Sequence, residues 1–568
     1  MKKLISLVLA IAMIAMVGLA FAADEVLDNN VSVTGLAAND TTTFYQIVKW
    51  VGGDVDGNVA GWKAVEPFDS VLTEAVLKSV LIGDGTNAAT GITAELAGRL
   101  AKVSGASGAA VAVSGGKAEK TISDANDAGI YMVIVTPGDA DTIYSPVFVS
   151  ADYNAGGNEF PVSTAASYSD SAAAKKSTLT IEKTAANASD YTPDNGKTVA
   201  VGDTLTFTVT TTIPGYGEVY TAPHFVLSDK LTALTLNEGS VRVDEVDAAN
   251  YTLTTAADGY SIAFKDTYLK TLTAAKEITV TYTATVNNAA AYAINEKDNQ
   301  VQIEYSHDPS DESDYNVKKD TTQHYTFSLD ANALGDTTIE GLNGIKTSEL
   351  VKTGVDANGN PVYDTKTTSQ ITDSTKEEVK SPLAGASFGL YGKDDPTCVG
   401  TALQTVNTGD DGRMNFAGLD AGTYYLKEIS APSGFIADTK IREIKIEAET
   451  EEITVTEYYH EGAWYPTAQS TGDKSATYKT NILKSYKVTV DGVVAADYTF
   501  NNSKTANSPE IQWTELAPVE VPSEIQNVQG LGLPTTGGMG TTILYIVGAM
   551  LIVGAGVILV TRRKATSK

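Results

Sequence analysis

The sequence predicts an all-β chain, built as antiparallel β-sandwiches in a row between a secretory leader and a C-terminal apolar helix. Three observations predict it. First, runs rich in Thr, Val, Ile and Tyr alternate with period two. The run 204–211 (TLTFTVTT) puts Leu205, Phe207 and Val209 on one face, and 278–286 (ITVTYTATV) does the same with Ile278, Val280 and Tyr282. Second, Gly, Asn and Asp clusters such as Asn358-Gly359-Asn360 and Asp410-Asp411-Gly412 punctuate these runs. Third, helical periodicity is confined to 70–103, where VLTEAVLKSVL and ITAELAGRLAKV space their apolar residues by three and four. That pattern is sandwich rather than alternating strand and helix.

The chain has 568 residues, enough for roughly three or four domains. Composition shifts divide it into a leader (1–22), a first β domain with a short helical insertion (23–172), a middle sandwich (173–324), a third sandwich (325–505), a linker (506–532) and a C-terminal segment (533–568). The linker carries Pro509, Pro518, Pro522 and several Glu, and reads as an extended stalk.

The net charge is −29. Phosphate binding needs clustered Lys and Arg, so nucleic acid is excluded as a partner, and docking on anionic lipid is disfavoured. One cysteine, Cys398, leaves no intrachain disulfide, and four scattered histidines cannot build a His-rich metal or acid–base site. Asp54-Val55-Asp56-Gly57-Asn58 has calcium-loop residues but no Glu at the EF-hand distance, so it reads as a turn. No metal or cofactor is expected.

The ends place the chain. Lys2 and Lys3 precede an apolar run at 4–19, and Ala20-Phe21-Ala22 is a small-x-small cleavage site, the pattern of a secretory signal peptide. Residues 541–560 carry no charge and are just long enough to cross a bilayer. Arg562, Arg563, Lys564 and Lys568 follow and hold that end in the cytoplasm, leaving the body outside. Immediately before the apolar segment stand Leu533, Pro534, Thr535, Thr536 and Gly537. Pentapeptide, apolar helix and basic tail together resemble the Leu-Pro-x-Thr-Gly sorting signal of Gram-positive surface proteins. The resemblance implies a sortase that cuts between Thr536 and Gly537 and passes the Thr536 carbonyl to an amine. Pro534 fixes an extended backbone there, and Gly537 leaves room for a nucleophile.

Within the third domain, 381–391 (SPLAGASFGLY) and 422–435 (GTYYLKEISAPSGF) resemble, in the right order, two elements of collagen-adhesin B-type domains. The layout as a whole resembles the sortase-assembled major pilins, the fimbrial shaft subunits of Gram-positive bacteria. The resemblance implies immunoglobulin-like sandwiches in which a first-strand lysine joins a last-strand asparagine through an isopeptide bond promoted by a buried acid. The chemistry is self-sufficient. Burial lowers the lysine pKa and frees a nucleophilic amine, while burial keeps a carboxyl protonated to polarise the amide. Proximity supplies the rest, ammonia leaves, and no cofactor takes part.

By that resemblance the third domain offers Lys352, the acid Glu428 and Asn502, which shares a strand face with Phe500. The middle domain offers Lys183, the acid Asp229 and Asn299; its 224–236 segment is one residue shorter than the family pattern, with Ala233 in place of a glycine. No triad is expected in the first domain, where the strand at 129–135 lacks a following Glu. Polymerisation needs a lysine at the end of the first domain. Lys175 is the first choice and Lys176 the second, with a solvated linker lysine as the alternative; the Tyr-Pro-Lys neighbourhood usual in the family is absent.

The expected function is a non-enzymatic shaft subunit of a covalent pilus. Its partners are a sortase, further copies of the chain, peptidoglycan or a basal pilin, and a host surface ligand. The alternative is a monomeric wall-anchored adhesin or a minor pilin. An extracellular hydrolase has no supporting motif.

Overall fold

The computed structural model describes residues 30–530 and Ile552, leaving out 54–55, 84–86, 124, 140, 156–157, 161–168, 188–196, 289–296, 328, 330–349, 363–382, 410–411, 413, 415, 502–511 and 516–522. The leader, the pentapeptide Leu533 to Gly537, Asn502 and the apolar segment apart from Ile552 therefore lie outside the described residues. Among the described residues, no helix is long and apolar enough to cross a membrane.

Three sandwich-type units follow one another. In the first, Thr41–Trp50 and Gly129–Thr136 pair antiparallel at the centre of an eight-stranded sheet. One face of this pair buries Phe44, Tyr131 and Val133. The other buries Ile47, Ile130 and Met132 beneath two helices, Glu74–Leu81 and Ala94–Ala101. The helical insertion forms as its periodicity predicts. Leu77, Val80 and Leu81, then Leu96, Leu100 and Ala101, face the core, and Thr73 and Thr93 cap the N-termini by accepting from Val76 and Leu96 N–H groups. Gly98 lets the second helix touch the middle unit: a Cβ there would lie 2.0 Å from the Val219 carbonyl oxygen.

The first unit closes through Ser171–Ala173, which runs parallel to Asn30–Thr34, and through Lys176–Thr178, which pairs with Thr142–Tyr144. Hydrogen bonding to the first unit thus continues past the expected boundary at residue 172.

The middle unit is a two-sheet sandwich. One sheet has the order Ile181–Asn187, Thr204–Ile213, Lys276–Val286, Leu234–Leu236. The other has the order Tyr251–Ala256, Gly259–Phe264, Phe225–Leu231, Lys297–Ser306, Tyr315–His324. The predicted alternation holds: Leu205, Phe207 and Val209 meet Leu227, Ile262, Val301 and Ile303 in one fully buried core. Ala233 adopts φ 57°, so the turn keeps the left-handed backbone a glycine would favour, at a cost of about 1 kcal/mol for a side chain.

In the third unit, Ser387–Gly392, Gly422–Ser430, Arg442–His460, Lys474–Val490 and Val493–Asn501 lie in one sheet. Opposite is a small sheet in which Ser523–Gln529 lies between Leu350–Val355, parallel to it, and Phe435–Ile436. This corrects the expected linker. Its proline- and glutamate-rich composition suggested a stalk, but Ile525 and Asn527 alternate inward and are buried, while Gln526 and Val528 face out. The last strand of the third unit comes from residues assigned to the stalk.

Candidate functional sites: two buried lysine, acid and asparagine clusters

In the middle unit, Lys183 projects from its edge strand across the sandwich. Asp229 and Asn299 project toward it from neighbouring strands of the opposite sheet, where Leu231 pairs with Asn299 and Asp229 with Val301. Alternation along each strand places all three in the core, and the Lys183 and Asp229 side chains are completely inaccessible. Lys183 Nζ lies 2.7 and 2.8 Å from the two Asp229 oxygens and 2.6 Å from Asn299 Oδ1. Phe207 and Tyr282 stack on each other and wall the amine, at 5.4 and 5.7 Å from their ring centroids. Tyr282 also ties the polar groups together: its hydroxyl donates to Asp229 Oδ2 (2.8 Å) and accepts from Asn299 Nδ2 (2.7 Å).

Burial dominates the electrostatics. It pushes Lys183 down to about 8, against the attraction of Asp229, and it raises Asp229. Both shifts favour an uncharged pair, amine beside carboxylic acid. Asp320 fixes the edge strand by accepting the Lys183 backbone N–H (2.7 Å), and burial lifts its own carboxyl to about 6.

In the third unit, Lys352 stands on Leu350–Val355 and Glu428 on Gly422–Ser430, in opposite sheets. Their side chains are fully inaccessible and 3.4 Å apart. Burial lowers Lys352 to about 8, with Glu428 acting in opposition. The third member is Asn527. Its strand runs parallel to that of Lys352, with Lys352 in register with Ile525, so Asn527 lies two residues further along. Asn527 Nδ2 donates to Glu428 Oε2 (2.9 Å), the oxygen that Lys352 contacts, and to the Ile436 carbonyl (2.6 Å). The Asp438 N–H reaches the same carboxyl oxygen (2.6 Å). Glu428 Oε1 and Asn527 Oδ1 are buried with no hydrogen-bond partner among the described residues.

The structure therefore brings together Lys183, Asp229 and Asn299, and separately Lys352 and Glu428, while Asn527 occupies the position the sequence reading gave to Asn502. Sequence reasoning also missed Tyr282, which reads as one more inward residue of an alternating strand. Lys175 and Lys176 are exposed at the close of the first unit; the Lys175 carbonyl accepts from Ser145, and Lys176 pairs with Tyr144. Cys398 is buried, which keeps its thiol from other chains.

Residues 357–459, which surround Glu428, match the SpaA prealbumin-like fold domain. Over 487 residues the chain is 24% identical to the trypsin-resistant surface T6 protein of Streptococcus pyogenes serotype M6, covering 78% of this chain and 80% of that one. The solved T6 backbone pilin of serotype M6 Streptococcus pyogenes, a modular three-domain structure, superposes with a TM-score of 0.51 at 18% identity, over 88% of this chain and 98% of that one. The chain thus carries one SpaA prealbumin-like domain and shares the fold of that backbone pilin. The full-length major pilin SpaD from Corynebacterium diphtheriae aligns over 88% of this chain and 97% of its own, at 15% identity and a TM-score of 0.42. The domain match on 357–459 ends short of both flanking strands, so Lys352 and Asn527 are assigned by geometry.

Proposed function

We propose that the chain is the shaft subunit of a covalently polymerised pilus, clamped internally by two self-formed isopeptide bonds. The observation that carries this reading is the placement, in two successive units, of a lysine amine, a carboxyl group and an asparagine in one dry cluster between the two sheets. In the middle unit the neutral Lys183 amine attacks Asn299 Cγ. Protonated Asp229 polarises the Asn299 carbonyl, and the proton shed by the amine returns to the departing nitrogen, which Tyr282 already holds. The C–N bond to Lys183 forms, the bond to Asn299 Nδ2 breaks, and ammonia leaves. Lys352, Glu428 and Asn527 follow the same course. The acid is regenerated, so each site acts once on itself and the chain is no enzyme toward other molecules.

A sortase then cuts between Thr536 and Gly537 and joins Thr536 to Lys175 or Lys176 of the next subunit. The exposure of both lysines supports this role. The last copy passes to peptidoglycan or a basal pilin, and the shaft presents any adhesive contact with the host. The test is a denaturing, reducing immunoblot of cell-wall extract. A ladder reaching very high mass is expected, with Thr536 linked to Lys175 or Lys176 in peptide maps. A single band near the monomer would reject polymerisation.

The lowered lysine pKa sets a pH dependence. Below about 8 the buried amine of Lys183 holds its proton and cannot attack. In freshly refolded chain, ammonia loss followed by intact mass should accelerate as pH rises toward about 8. In Asn299→Ala, which cannot crosslink, Lys183 is protonated more readily unfolded than folded. Its burial cost is present below about 8 and fades as pH rises toward its ordinary 10.5, so this variant should gain stability across that window. A rate flat in pH would rule out the neutral amine as nucleophile.

A further inference from the structure

The crosslinks of the proposed function, on which this inference rests, decide which segments carry tension. In a shaft pulled between Lys175 or Lys176 and Thr536, force crosses from Lys183 to Asn299 and later from Lys352 to Asn527. The chain inside each crosslinked loop is bypassed, whereas the chain from Asn299 to Lys352 is not. It follows Lys297–Ser306, returns along the edge strand Tyr315–His324 and enters the third unit through Tyr325. Asn299 pairs with Thr322 and Lys297 with His324. Tension therefore acts on the open end of this hairpin, the geometry that opens a ladder one pair at a time.

The edge strand of the hairpin is covered along this ladder. The third unit's long ribbon, Arg442–His460 with Lys474–Val490, reaches beyond its own sandwich and lies on the edge strand. Lys319, 3% exposed, is its centre. Its amine sits 5.0 Å from the ring centroids of both Trp464 and Tyr478, forms an ion pair with Glu457 and lies 3.2 Å from Gln300 Oε1. The Tyr478 hydroxyl donates to Glu457 (2.8 Å), and Trp464 Nε1 donates to Gln302 Oε1 (2.7 Å). Thr321 reaches Thr480 (3.4 Å), the Tyr325 hydroxyl donates to the Asn481 carbonyl (3.2 Å), and Lys474 pairs with Asp314 (3.1 Å). Lys319 differs from Lys183 and Lys352: its ion-pair partner, Glu457, is a partly exposed carboxylate. A desolvated cation between two rings is where cation–π attraction is strongest.

We propose that this clasp is the reversible, tension-bearing element of the subunit. It guards the edge strand of the hairpin, from Asp314 to Tyr325, while the crosslinks hold the sandwiches. It yields before they do and re-forms afterwards, because the two crosslinks keep the rest of each sandwich together. The roughly 50 residues from Asn299 to Lys352 span at most about 170 Å when fully extended, and the length released is that span less the folded separation of its two ends.

The test is single-molecule pulling of the crosslinked chain between handles at position 175 and after Gly530, with crosslinking checked by intact mass. The expected result is a repeatable step of about that length, moved to lower force by Trp464→Ala and by Lys319→Met with its length unchanged. Equal force in wild type and both variants, or no such step, would overturn the clasp. Additional release from 183–299 or 352–527 would instead mean that the crosslinks are missing, and would reject both readings by a separate signature.

Discussion

Asp229→Ala should leave the chain short of one ammonia rather than two, and should lower the melting temperature of the middle unit on the order of 10–20 °C. The mass follows from chemistry: without the acid, nothing polarises Asn299 or returns the proton, and Lys183 stays free. The stability loss has two parts. The bond between Lys183 and Asn299 closes a loop of roughly 100 residues, and loop-closure entropy makes such a bond worth about 4–5 kcal/mol. Removing the acid also leaves a buried amine without its partner, where breaking a buried pair costs about 3–5 kcal/mol. The second part is the smaller one here, because burial already holds Lys183 near 8 and the amine can shed its proton. Lys183→Met separates the two. It removes the bond and the amine together and leaves an acid that burial keeps protonated, so its melting temperature should fall less. Calorimetry of both variants, beside intact mass, checks the ranking. An Asp229→Ala chain that still lost two ammonia molecules would sink the assignment of the acid.

What the sequence revealed, and what it hid, follows from how local each signal is. Strand alternation is a property of neighbours, so the Phe207 and Val280 strands were legible, and so were the two amphipathic helices. Lys183, Asp229 and Asn299 were legible through the family resemblance, which marks the strands that carry them. Asn527 was not. SEIQNVQ has a single buried aliphatic, Ile525, beside the asparagine, and the prolines and glutamates before it dominate any composition window. What makes Ser523–Gln529 a strand is non-local: a parallel partner far earlier in the chain and a carboxyl group from the opposite sheet. Tyr282 was hidden differently, since periodicity shows that a residue faces inward but not what its hydroxyl meets. The ribbon on the middle unit was equally invisible, because Trp464, Tyr478 and Lys319 come from separate strands of two units.

Asn527→Ala should abolish crosslinking in the third unit, whereas Asn502→Ala should leave it intact. The family resemblance placed the bond on Asn502 because YTFNNSK looks like a closing strand. The geometry favours Asn527, whose amide shares one oxygen of Glu428 with the Lys352 amine. The two variants therefore differ by the mass of one ammonia in the isolated full-length chain, and tryptic maps should show Lys352 joined to the peptide that carries Asn527. The mechanical consequence is as large as the chemical one. A bond to Asn527 ties the first strand of the unit to its last, so tension passes directly from Leu350–Val355 to Ser523–Gln529 and on to the sorting pentapeptide. A bond to Asn502 would instead leave Ser523–Gln529 in the load path, held only by its hydrogen bonds. Stability should follow the same division. Asn527→Ala loses the covalent loop, worth about 5 kcal/mol for a closure of this length, and Asn502→Ala changes little. If Asn502→Ala removed the ammonia loss and Asn527→Ala did not, the Asn527 strand would be a packing element alone and the family expectation would stand.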